Sequence, residues 1–183
     1  MKILGIFSLL MAATTILSAA GNPHPDVPAA AGQFPAVKAS NLEGQQFSLP
    51  GDLKGDRNLV LIAFQREQQT QVDTWLKEMK RFQEADAGFQ YYELPTISRL
   101  NPLTRWFIDT GMRRGIPDKT ARERTITLYL DKKPFTDALQ LPTENNIYAL
   151  LVDRSGTVLW RAEGVFDESK GEGLRQALRG STR

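Results

Sequence analysis

The run Leu59-Val60-Leu61-Ile62-Ala63-Phe64 constrains the fold more than any other feature of the chain. Six apolar residues in a row, with no polar alternation, read as a strand buried on both faces. The sequence then becomes amphipathic. Val72, Trp75, Leu76, Met79 and Phe82 lie on one face of a 3.6-residue period, with Lys77, Glu78, Lys80 and Arg81 on the other. Gly88 ends that helix, and Phe89-Gln90-Tyr91-Tyr92-Glu93-Leu94 is a second strand. A strand, a helix and a strand of this kind form a βαβ unit, with a parallel pair and a right-handed crossover.

Other elements gather around that unit. Residues 37–40 and 46–49 form a short hairpin across the turn signal 41–44, and Pro50-Gly51 breaks the pattern. Asn101-Pro102 starts a helix, with Asn as the cap and Pro in the first turn. This helix runs through Leu103, Trp106, Phe107 and Ile108 to Gly111, and its phasing puts Trp106 with Leu103 toward the core. Gly115-Ile116-Pro117-Asp118 interrupts. Residues 125–130 (TITLYL) are strongly β-prone, and Asp131 to Pro134 ends that strand. Residues 146–152 and 157–162 pair across Asp153-Arg154-Ser155-Gly156. Residues 167–178 make the last helix, with Leu174, Ala177 and Leu178 inward. The order β-α-β-α-β-β-β-α predicts an α/β three-layer sandwich, a central mixed sheet flanked by helices.

The N-terminus has a different character. Lys2 precedes residues 3–17, which are apolar or small apart from Ser8, Thr14 and Thr15, and Ser18-Ala19-Ala20 supplies small residues. This is the pattern of a cleavable signal peptide, residues 1–20, cut after Ala20. The apolar stretch is shorter than the roughly 20 residues of a spanning helix. Residues 21–33 are a proline-rich leader, and the folded domain is expected over 34–183. The product is expected in the periplasm or secreted.

Composition then limits the chemistry. The 183 residues contain no cysteine and one histidine, His24, which sits in the leader. An exported chain without cysteine is stabilised by burial, with no disulfides. Thiol redox chemistry, Cys-ligated zinc and iron–sulfur clusters are excluded, and a lone leader histidine builds neither a triad nor a His-rich metal site. Gly51-Asp52-Leu53-Lys54-Gly55 lacks the Lys-Ser/Thr ending of a phosphate loop. No cofactor is expected. Lys and Arg number 23 against 21 Asp and Glu, so the overall charge gives no reason to expect nucleic acid.

The ordered pieces resemble the thioredoxin-like superfamily, in its peroxiredoxin and thiol-oxidoreductase branch. The residues that carry the likeness are Phe34-Pro35-Ala36-Val37, Asn41-Leu42-Glu43-Gly44 with Phe47-Ser48-Leu49, and the strand 59–64. The closing pair Ala149-Leu150-Leu151-Val152-Asp153 and Ser155-Gly156-Thr157-Val158 completes it, so the likeness covers about 34–178. A narrower likeness, at 71–75 and 147–164, is to a mitochondrial ATP synthase assembly-factor family with this fold. That likeness implies a chaperone-like role without redox chemistry. Two features of the superfamily are changed. Arg66-Glu67-Gln68-Gln69 stands where the redox cysteines would be, and Asn145-Asn146-Ile147 stands where a cis-proline would precede the closing hairpin.

Two candidate sites follow. Arg66, Glu67, Gln68 and Gln69 are either polar residues at an exposed helix start or the remains of a groove at the carboxyl rim of the sheet. In the second case Arg66, Gln68 and Gln69 offer donors to a peptide or an anion. The second candidate is the stretch 99–124, where Arg99, Arg105, Arg113, Arg114, Lys119, Arg122 and Arg124 face only Asp109, Asp118 and Glu123. It is either a solvated face or a contact for an anionic surface, such as membrane headgroups or an acidic protein. Glycines flank Arg113-Arg114 closely, so that part of the backbone adapts most easily. The function expected is an exported, non-catalytic binding or chaperone module with a protein partner. The alternatives are a cysteine-independent enzyme using the same groove, or an accessory subunit of an envelope complex.

Overall fold

The computed structural model describes residues 32–180. The expected signal peptide and most of the leader lie outside these residues. Thirteen elements follow in order, counting a short 3-10 turn: β1 (Val37–Asn41), β2 (Gln46–Leu49), β3 (Arg57–Ala63), a 3-10 turn (Arg66–Gln68), α1 (Gln69–Ala85), β4 (Phe89–Ser98), α2 (Pro102–Gly115), α3 (Lys119–Arg124), β5 (Ile126–Leu130), α4 (Lys132–Ala138), β6 (Tyr148–Asp153), β7 (Val158–Glu163) and α5 (Glu168–Gly180). One mixed sheet of seven strands runs β2-β1-β5-β4-β3-β6-β7.

The apolar run is the interior strand its composition demands. β3 pairs parallel with β4, Leu59 opposite Tyr91, and antiparallel with β6, Leu59 opposite Leu151. Alternate side chains enter two separate cores. Val60 and Ile62 join Phe34, Phe47, Phe135 and Leu139 on one face. Leu59 and Leu61 meet Trp75, Met79, Phe82, Trp160 and Leu174 on the other. The second core is built around Trp75, which packs edge-on against Trp160 and Phe166 at 6.1 and 5.1 Å between ring centroids. Its indole N–H donates to the Gly164 carbonyl at 2.9 Å, so burial leaves no polar atom of that ring unpaired.

The turns are held by short polar side chains. Asp153 Oδ1 accepts from the Ser155 and Thr157 amides at 2.8 and 2.9 Å, and Gly156 supplies φ +90°. Asn41 Oδ1 accepts from the Glu43 and Gln45 amides at 3.1 and 2.9 Å, ahead of Gly44 at φ +84°.

All eight elements expected from residue 59 onward are present, and the sheet is mixed and flanked by helices. Two helices were not expected. α3 is a single charged stretch, started by Asp118 Oδ2 accepting from the Ala121 amide at 2.8 Å. α4 begins where the sequence implied only a strand end: Asp131 takes the cap position and Pro134 falls in the first turn, where its missing N–H has no intrahelical partner to lose. α2 runs past Gly111 to Gly115, and β4 runs past Leu94 to Ser98.

One expectation about packing fails. Trp106 is 59% exposed, with Leu103 at 66% and Phe107 at 63%, and α2 contains no buried residue. The helix turns its polar side inward instead. Arg105 lies 4.4 Å above the Tyr129 ring, and the Tyr129 hydroxyl donates to Asp109 at 2.8 Å. Periodicity reveals an apolar stripe but not which way the stripe faces.

Candidate functional site

β3 leaves the sheet at its carboxyl rim and runs directly into the 3-10 turn and α1. The loop before β6 reaches the same rim. Three glutamines, spaced three residues apart, bind the two segments together. Gln65 and Gln68 both donate to the Glu144 carbonyl, at 3.3 and 2.7 Å, and Gln71 accepts from the Ile147 amide at 3.3 Å. Lys132, at the start of α4, pairs with the Glu144 carboxylate.

Gln68 is the centre of this clamp. Its side chain is only 3% exposed. Its oxygen accepts from the Phe64 and Gln65 amides at 2.8 and 3.2 Å while its nitrogen holds Glu144. Those two amides emerge from the end of β3, where a helix start leaves N–H groups without partners. Gln68 therefore satisfies both amides and fastens the facing loop with the same amide group. Arg66 and Glu67 stand exposed on the outside of the turn.

Gln69 points toward β4. Its amide donates to Asp73 Oδ1 at 3.0 Å and to Glu93 Oε2 at 3.3 Å. Glu93 is a carboxylate within the sheet, 8% exposed. Burial raises its pKa above the usual carboxylate range, with Asp73 adding to the rise and the Gln69 hydrogen bond opposing it.

The basic stretch does not form one open patch. Arg122 is largely enclosed: its Nε pairs with Glu43 at 2.5 Å and its Nη1 donates to the Ile116 and Pro117 carbonyls. Arg113 reaches the same Glu43 at 3.4 Å. The Arg122 hydrogen bond, helped by the Arg113 charge, holds the Glu43 carboxyl below its ordinary pKa. Arg124 stacks 4.3 Å above the Tyr91 ring and donates to Gln83. Lys119 pairs with Glu123 one helical turn away. Arg114 and Arg99 are exposed, and neither makes an ion pair among the described residues.

Of the eight candidate residues, then, the rim set is contiguous, with Gln68 inside and Arg66 and Glu67 outside. Arg113 and Arg122 converge on Glu43. Arg124 serves the sheet face, and Arg114 faces solvent. Sequence reasoning missed Gln65, Gln71, Glu144, Glu43 and Glu93. Only Glu93 carried a signal, a lone acid in the aromatic strand FQYYEL. Among the described residues no three His, Cys, Asp or Glu side chains are grouped to hold a metal ion.

No protein-family model and no curated protein matches the sequence. Solved structures do match. The thioredoxin domain of a thiol-disulfide oxidoreductase from Bacteroides vulgatus superposes with a TM-score of 0.53 at 18% identity, covering 81% of this chain and 97% of that one. The chain has a thioredoxin-like fold. A second match is BsSco, a member of the Sco family of cytochrome c oxidase assembly proteins, at TM-score 0.56 and 13% identity over 82% of this chain and 95% of that one. A thiol:disulfide interchange protein from Bacteroides sp. matches at TM-score 0.51 and 18% identity, over 85% and 93%. Identities this low establish the thioredoxin-like architecture alone. On that architecture the chain carries no sulfur nucleophile, so thiol redox chemistry is absent.

Proposed function

We propose that this chain is a non-catalytic, exported binding module that holds a protein partner against the carboxyl rim of its sheet. The observation that carries the proposal is the glutamine clamp. At the strand–helix junction the chain has a buried Gln68 whose polar atoms are spent on Phe64, Gln65 and Glu144. A rim fastened in this way favours a fixed contact surface over a reaction cleft, with Arg66 and Glu67 as its exposed charged residues.

An assembly role fits the thioredoxin-like fold, since one matched structure is itself an assembly protein. The narrower likeness to ATP synthase assembly factors finds no support among the matches. Its residues serve the chain's own interior: Trp75 fills the core and Gln71 holds Ile147.

The test is a photo-crosslinking residue at Arg66, compared with one at Lys80 on the outer side of α1, in envelope extract. A protein captured from position 66 and not from position 80 is expected. The same products from both positions would refute the proposal. A companion Arg113→Glu/Arg114→Glu variant asks whether the basic stretch contributes to capture.

Glu93 supports a second reading, an enzyme that uses the same rim without sulfur. A buried carboxyl with a raised pKa, linked to the rim through Gln69, has the properties of a general acid. Its small exposure limits direct contact with a substrate. An activity that survives Glu93→Gln would remove this reading.

A further inference from the structure

The outer face of α2 is the strongest feature not used above. Leu103, Trp106, Phe107, Thr110 and Arg114 fall at helical spacing on one side. The first three are the most exposed large apolar side chains among the described residues, and the Trp106 and Phe107 rings meet edge-on at 5.1 Å. The helix contains one acid, Asp109, which is turned inward onto the Tyr129 hydroxyl. The outward face is thus apolar and free of negative charge. Arginines bracket it: Arg99 before the helix, Arg113 and Arg114 in its last turn.

We propose that this face docks α2 onto an anionic lipid surface. A helix lying in the plane of a membrane buries an apolar stripe by about 5–10 Å and keeps cations at the level of the phosphates. Leu103, Trp106 and Phe107 supply that stripe. Trp is the residue type most at home at the boundary, since its ring is apolar and its N–H stays wet. Arg114 lies about 10 Å along the axis from Phe107, and its long stem lets the guanidinium reach headgroups while the apolar residues insert. An acidic protein would satisfy the charges as well. The apolar side chains here, however, stand exposed along one helix face, with exposed arginines before the helix and in its last turn and no acid among them, which suits a planar anionic surface. This proposal does not depend on the reading of the rim.

The full chain provides its own reporter. Trp75 and Trp160 are buried, so iodide quenching and a blue shift on binding report Trp106, and the apolar N-terminal segment contains no tryptophan. The protein is titrated with vesicles of phosphatidylcholine mixed with phosphatidylglycerol, and with vesicles of phosphatidylcholine alone. Trp106 is expected to blue-shift and gain protection with the anionic vesicles only. Arg114→Gln and Arg99→Gln should each raise the lipid concentration at the midpoint about fivefold. Leu103→Ser/Phe107→Ser should raise it at least about tenfold.

Equal shifts with both vesicles, no shift with either, or variants that titrate like the parent would overturn the proposal. No shift at all returns the face to a protein partner. Trp106 shielded from iodide before lipid is added also overturns it. In that case the face is covered by a second copy, if the shielding depends on protein concentration, or by the chain's own N-terminal segment, if it does not.

Discussion

Replacing Gln68 with alanine removes the clamp while leaving the exposed residues of the rim unchanged. The cost follows from the three hydrogen bonds it makes. The Phe64 amide is buried and loses its partner, which costs about 1–3 kcal/mol. The Gln65 amide is only part-buried and its bond is the longer one at 3.2 Å, so water can replace the partner and it adds little. The Glu144 carbonyl keeps Gln65 as a donor at 3.3 Å and loses only the stronger bond, about 0.5–1 kcal/mol. The total is about 1.5–4 kcal/mol, which at about 3 °C per kcal/mol for a domain of this size lowers the melting temperature by about 5–12 °C. Thermal and urea unfolding, followed by far-UV circular dichroism, measure it. Gln68→Glu sharpens the test. Its carboxylate keeps both amide contacts but at neutral pH turns a lone pair toward the Glu144 carbonyl. Protonation restores a donor, so this variant should recover stability as pH falls. A Gln68→Ala variant within about 0.5 kcal/mol of the parent, the range of an ordinary surface substitution, would show that water can replace the clamp.

Three further outcomes are expected. Glu93 titrates higher in the folded than in the unfolded chain, so the folded state binds the proton more tightly. Stability should therefore fall as pH rises from the ordinary carboxylate range through the folded pKa. Glu93→Gln should remove that slope and raise the neutral-pH melting temperature, as calorimetry across pH would report. Asn101 Oδ1 caps α2 by accepting from the Thr104 amide at 2.9 Å. Asn101→Ala should weaken α2 by about 1 kcal/mol in hydrogen exchange of its own amides; global melting should hardly move, since that helix buries no side chain. At Gly156, φ is +90° and an added Cβ would lie 2.6 Å from Gln33 Nε2 and 2.7 Å from Pro50 Cγ. Gly156→Ala should cost about 1–3 kcal/mol in urea unfolding.

What the sequence made legible depended on periodic burial. Residues 59–64 were legible as an interior strand because a short, unbroken apolar run with β-branched residues in it suits burial on both faces, and Val72 to Phe82 because their spacing fits the helical period. Asp153 and Gly156 marked their turn because few other residues make those bonds or adopt that φ. α3 was invisible because KTARER contains no apolar stripe, and α4 because Pro134 reads as a breaker until its place in the first turn is known. Trp106 went wrong for a related reason: the apolar stripe of α2 is real, but Tyr129 and Glu43, remote in sequence, engage the helix through Arg105, Asp109 and Arg113. The clamp was illegible too. Nothing local separates a buried glutamine from an exposed one, and its partner Glu144 is 76 residues away.

Amide hydrogen exchange at the rim, resolved by NMR, bears most directly on whether that edge is closed. If Gln68 spans the gap between β3 and the loop before β6, the Phe64 backbone amide should exchange as slowly as the central amides of β3, and the Gln68 side-chain NH2 should give a distinct pair of resonances slowed relative to the exposed glutamines. Solvent-rate exchange at both positions in the free protein would mean that the rim stands open, and the account of a sealed thioredoxin-like scaffold would be wrong.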